Sequence, residues 1–158
     1  MPQVLVLMGS KSDLPFSEEI KKDLQKFGID VILRIASAHK VPLKVLDILK
    51  EYQNVDVIIT VAGRSNALSG FVDAHTTKPV IACPPYSDKF CGADIYSSLR
   101  MPKGVAPLVV LEPEQAALAA AKIIALKYPE VTNLIEKYQN SLKEEIEKAD
   151  QEVLDGQR

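Results

Sequence analysis

The sequence predicts an α/β fold, a parallel sheet of about five strands with helices on both faces. Three observations carry the prediction. Short continuous apolar runs recur along the chain, as strands covered on both faces require. Segments with apolar residues at helical spacing fall between most of them. After Pro129 the alternation ends, and one apolar stripe repeats every three or four residues.

The first strand is "QVLVLM" (3–8). Residues 14–27 place Phe16, Ile20, Leu24 and Phe27 at helical spacing between charges, and Gly28 stops that helix. "DVILRIA" (30–36) is the second strand, and "PLKVLDILKEY" (42–52) the second helix, with Pro42 suited to its first turn. "VDVIITVA" (55–62) reads as a strand and "SNALSGFVDAHT" (65–76) as a short helix. "PVIAC" (79–83) and "APLVVLE" (106–112) complete the strands, and the Ala-rich residues 114–127 form a further helix. Right-handed crossovers then favour a doubly wound, flavodoxin-like sheet.

The tail carries Val131, Leu134, Ile135, Tyr138, Leu142, Ile146, Ala149 and Val153 on one stripe. It predicts an amphipathic helix of roughly 24 residues, about 36 Å long. A compact domain of this size has a radius of gyration of about 15 Å, so such a helix can overhang it. The expected organisation is an α/β domain over residues 1–128 that carries the site, and a C-terminal helix over 129–158 that packs on a neighbouring subunit.

Composition narrows the classes. Lys and Arg number 19 against 21 Asp and Glu, and the net charge of −2 gives no basic surface for nucleic acid. No apolar stretch is long enough for a membrane span and no leader pattern opens the chain, so a cytoplasmic protein is expected. Cys83 and Cys91 are the two cysteines, expected as free thiols, with Cys83 a buried small hydrophobe. Two histidines and scattered carboxylates lack metal-ligand spacing.

In an open parallel sheet, ligands bind outside the carboxyl ends of the strands. The loops there read Gly9-Ser10-Lys11-Ser12-Asp13, Ser37-Ala38-His39-Lys40, Gly63-Arg64-Ser65-Asn66 and Pro84-Pro85-Tyr86-Ser87-Asp88. All four are expected to converge on one crevice. Gly9 allows close backbone approach, the following helix offers free N–H groups, and Ser10 and Ser12 add hydroxyls, a combination suited to one phosphate. Asp13 either caps that helix or accepts hydrogen bonds from ribose hydroxyls. The loop matches neither the dinucleotide nor the triphosphate glycine motif.

His39 is the candidate proton-transfer group. It precedes a helix start and neighbours Lys40, both of which disfavour imidazolium, and a neutral imidazole can accept and return a proton. His75, near the end of a short helix, reads as structural or solvated. Arg64 and Arg100 are separate candidates for an anionic group.

Taken in order, "GSKSD", "SAHK", "AGRSNALSG", "CPP", "SSLRMP" and the Ala-rich helix resemble the PurE family of purine biosynthesis, over about residues 3 to 127. The resemblance implies a flavodoxin-like core and a homo-octamer whose C-terminal helices reach across subunits. It implies 5-aminoimidazole ribonucleotide as substrate and no cofactor or metal. By resemblance Ser10, Ser12 and Asp13 meet the phosphate and ribose. Ser37, Ala38 and Lys40 line the same site with His39, and Gly63 and Ser65 close over the imidazole and carboxyl unit; Arg64 either meets the carboxylate that forms or braces the loop through a salt bridge. One branch of the family is a mutase that reads "SAHR" and "GGAAHLPG" and carries a histidine where Ala67 stands here. This chain resembles the other branch, which adds carbon dioxide directly to the ring. Two alternatives stand beside that reading: the mutase, and a flavodoxin-like nucleotide-binding module without catalysis.

Overall fold

The computed structural model describes residues 1–157. Its sheet has five strands, all parallel: β1 (Gln3–Met8), β2 (Asp30–Ile35), β3 (Val57–Val61), β4 (Val80–Ala82) and β5 (Leu108–Val109), in the order β2-β1-β3-β4-β5. That is the flavodoxin-like topology expected, with the direction of winding reversing between β1 and β3.

Strand β1 shows why its sequence is apolar at every position. Val4, Val6 and Met8 face one core, packed by Ile20, Leu24 and Phe27 of the first helical segment and by the Ala-rich helix. Leu5 and Leu7 face the opposite core, with Val45, Ile48, Leu68 and Val72. A strand buried on both faces has no side to spare for polar residues. Ala116, Ala117, Ala120 and Ala121 are fully buried, and their small side chains let the last helix of the domain lie close against the sheet.

The helices are α1 (Leu14–Lys26), α2 (Pro42–Glu51), α3 (Leu68–Asp73), α4 (Tyr96–Leu99), α5 (Pro113–Ala125) and α6 (Pro129–Gly156). Helix α1 ends in a Schellman arrangement. The Gly28 N–H reaches the Gln25 carbonyl at 3.0 Å and the Ile29 N–H reaches Leu24 at 3.3 Å, with Gly28 at φ +68°. Several boundaries differ from expectation. Helix α3 begins three residues late, because Ser65–Ala67 form a turn held by side-chain hydrogen bonds. Strand β5 keeps two residues of the seven expected, since only Leu108 and Val109 pair with β4. Helix α4, with the irregular stretch Lys89–Ile95 before it, whose Phe90, Cys91 and Gly92 have left-handed backbone, was not expected: that stretch has no apolar period to announce it.

Helix α6 runs 28 residues, longer than expected. Val131 and Ile135 are buried, and Tyr138 meets Phe27 edge-on at 5.5 Å. Beyond that point Leu142, Ile146, Val153 and Leu154 are exposed. Among the described residues no helix is long and apolar enough to cross a membrane.

Candidate functional site

Strand register brings the loops together. Met8 pairs with Ile35 on one side and with Val61 on the other, so β1, β2 and β3 end level. The Gly9 N–H donates to the Val61 carbonyl at 2.9 Å. A Cβ on Gly9 would stand 3.4 Å from that of Ala62, at the limit of ordinary van der Waals contact, so packing within the chain does not by itself demand glycine at this junction of two strand ends.

The loops above enclose a polar cleft of about 510 Å³ at the β1/β3 switch point. Gly9, Ser10, Ser12 and Asp13 line it from the first loop, Ser37, Ala38, His39 and Lys40 from the second, and Gly63, Arg64 and Ser65 from the third. Every residue singled out in those three loops except Lys11 and Asn66 is therefore on one wall or another. Ala62, Ala67 and Leu68 join them; Ala67 is the position where the mutase branch carries its histidine, whereas nothing in the sequence announces a lining role for Ala62 and Leu68, and only the fold places them.

The fourth loop departs from expectation. Pro84, Pro85, Tyr86 and Ser87 line a neighbouring cavity of about 260 Å³ with Asp94, Ile95 and Leu111. The two spaces meet at Gly63 and Arg64. The reason is topological. Strand β4 lies one strand beyond β3, so its loop opens outside the β1/β3 crevice. Arg100 lies with Tyr96 and Ser97 on a shallow groove elsewhere. His75 is also remote; its Nδ1 donates to the Phe71 carbonyl at 2.7 Å, a structural role.

In the first loop the Asp13 carboxylate accepts from the Ser10 N–H at 3.0 Å and the Ser10 hydroxyl at 3.1 Å. It therefore turns back into the loop and makes no side-chain cap on α1. Ser10 and Ser12 Oγ lie 2.6 Å apart. In the second loop the Ser37 hydroxyl accepts the Lys40 N–H at 3.3 Å, closing a turn that presents His39.

His39 Nε2 lies 3.1 Å from the Ser65 carbonyl oxygen. A carbonyl only accepts, so Nε2 carries the proton of that bond and Nδ1 is the ring's remaining acceptor. Arg64 has φ +59°, a left-handed conformation unusual for a side-chain-bearing residue. Among the described residues its guanidinium makes no ion pair. Bracing of this loop comes instead through its carbonyl, which accepts the Ser97 hydroxyl at 2.9 Å. No group of three or more His, Cys, Asp or Glu side chains is placed to hold a metal among the described residues.

Fold and cleft together define a flavodoxin-like α/β protein with a polar cleft at the switch point of its sheet. A family model described as AIR carboxylase matches residues 3–145, and the chain belongs to the AIR carboxylase family. The phosphoribosylaminoimidazole carboxylase of Archaeoglobus fulgidus is 62% identical over 152 residues, 96% of this chain and 84% of that protein. That of Treponema denticola is 51% identical over 148 residues, 92% of this chain and 93% of that one. The crystal structure of Treponema denticola PurE, 49% identical, superposes with a TM-score of 0.94 over 97% of this chain and 99% of its own. The resemblance read from the motifs is thus borne out.

Proposed function

We propose that the cleft binds 5-aminoimidazole ribonucleotide and that the protein reversibly adds carbon dioxide to C4 of its imidazole, a step of de novo purine biosynthesis. The observation that carries the reading is convergence: the loops that resemble the family's phosphate, proton-transfer and imidazole motifs line one cleft. The names of the relatives support it.

The chemistry needs little beyond placement. The 5-amino group pushes its lone pair through the ring, C4 attacks the carbon of carbon dioxide, and the new C–C bond leaves a cationic ring with hydrogen still on C4. Loss of that proton to Nδ1 of His39 restores the aromatic ring. In reverse, the imidazolium returns the proton to C4 and carbon dioxide departs. The phosphate sits against Ser10, Ser12 and the free N–H groups opening α1, and Asp13 faces the ribose hydroxyls. Arg64 and Lys40 supply positive charge for the carboxylate formed. Holding the two reactants against each other provides much of the rate.

The test is an assay with purified protein, aminoimidazole ribonucleotide and bicarbonate, without ATP. Carboxylated product is expected. Turnover of the N5-carboxylated ribonucleotide alone would transfer the protein to the mutase branch. His39→Asn should keep nucleotide binding while turnover falls by roughly 100-fold or more, the usual worth of a positioned general base. Near-normal turnover in that variant removes the proton shuttle.

A cytoplasmic homo-octamer belongs to the same reading. The overhanging α6 with its exposed Leu142 and Ile146 supports self-association, and two free thiols suit a reducing compartment.

A further inference from the structure

Behind the cleft wall, Asn66 is 4% exposed and its side-chain amide is fully engaged. The nitrogen donates to Ser69 Oγ at 3.0 Å and to Ser98 Oγ at 2.9 Å, while the oxygen accepts the Ser69 N–H at 3.2 Å. The Asn66 backbone N–H donates to Ser97 Oγ at 2.8 Å. The Ser97 hydroxyl has a single proton and two carbonyls in reach, Arg64 at 2.9 Å and Asp94 at 2.7 Å. Ser97 and Ser98 belong to α4, and Ser69 belongs to α3. The network therefore ties two helices to the Arg64–Ser65 turn.

That turn needs tying. A left-handed backbone at a residue with a side chain is strained, and such a conformation persists only where its surroundings over-determine it. The next carbonyl, on Ser65, is the one that takes the His39 Nε2–H. A turn free to relax would carry that acceptor away, and the imidazole would lose both its orientation and its fixed tautomer.

We infer that Asn66, Ser97 and Ser98 are positioning residues for proton transfer: by clamping the Arg64–Ser65 turn they hold the Ser65 carbonyl on His39 Nε2 and leave Nδ1 as the acceptor. The inference rests on His39 being the proton-transfer group, and it adds residues that touch neither substrate nor imidazole.

The protein labelled with nitrogen-15 in its histidines reads the ring directly, with His39→Asn assigning the signals. In the unaltered protein near pH 8, the nitrogen-15 shifts of His39 show a protonated Nε2 and an unprotonated Nδ1. A ring protonated at Nδ1 overturns the inference without recourse to any variant. Ser97→Ala lowers kcat about 10- to 100-fold while KM moves less than about threefold, the pattern of lost orientation with binding retained. It also shifts the His39 nitrogen-15 signals toward a mixture of the two tautomers, and Ser97→Thr, which keeps the hydroxyl, restores both properties. Ser98→Ala, a smaller lesion at the far end of the network, moves both readouts the same way by less, and serves if Ser97→Ala does not fold. Unchanged kcat and unchanged ring signals in the folded variants overturn the inference. Activity surviving in His39→Asn sinks the proton shuttle itself, whereas an inactive His39→Asn beside a fully active Ser97→Ala sinks only the clamp.

Discussion

Cys83 and Cys91 show how far placement separates two identical side chains. Cys83 closes the apolar run of β4, is fully buried, and sits with its Sγ 3.7 Å from the Leu111 carbonyl. Burial first, and the charge of Glu112 second, push its thiol up to about 12. Cys91 is exposed. A thiol reagent near pH 8 should modify Cys91 quickly and reach Cys83 only on unfolding; equal rates in the native protein would contradict this placement. The raised pKa also sets a sign. Above about pH 8.5 the unfolded chain gives up a thiol proton that the native state keeps, so stability falls as pH rises from there towards the folded value. Denaturant melts should show that decline flattened in Cys83→Ala. Part of the decline should persist, because Glu114 holds Tyr138 up to about 12 and acts in the same direction. The sequence reading of Cys83 as a buried hydrophobe needed only the apolar run before it. Asn66 offered no such cue. Its partners Ser97 and Ser98 are 31 and 32 residues away, and no spacing rule joins them.

At the scale of elements, α1 and its Gly28 test the link from pattern to structure. Gly28 is the residue that stops the helix, and its φ of +68° is left-handed. Gly28→Ala therefore costs about 1–2 kcal/mol of folding stability, read as a thermal midpoint lower by a few degrees, with KM unchanged. An unaltered midpoint would show that the turn relaxes at no cost. Strands β1 and β3 were legible as continuous apolar runs because both their faces are buried, and α1 and α6 as helices because their apolar residues repeat at helical spacing. Strand β5 and α4 were not. Strand β5 pairs at two residues only, and α4 is four residues long, so neither imposes a period on its sequence.

For the molecule as a whole, the open question lies along α6. Its first turns pack on Phe27 and the α5 side of the core, but at 1.5 Å per residue its 28 residues reach about 42 Å, well past that support. Leu142 and Ile146 are 42% and 72% exposed, one turn apart on one face. If that face packs on another copy, the 17.4 kDa chain sediments as a larger assembly. Leu142→Glu with Ile146→Glu should then shift it toward smaller species, and thermal stability should fall with it. A monomer in the unaltered protein would end the octameric reading.

Much about this protein was determined locally. Runs and periods set the strands and the longer helices, crossover handedness set the winding, and the loop residues Gly9 to Asp13, Ser37 to Lys40 and Gly63 to Ser65 displayed their chemistry after the strands whose ends meet at the cleft. Tertiary structure decided the remainder. It left the fourth loop out of the cleft, gave His39 its partner in Ser65 and bound Asn66 to a helix the sequence did not announce. The division has a physical cause: burial of one face leaves a repeating trace in the chain, whereas a hydrogen bond between residues far apart in sequence leaves none.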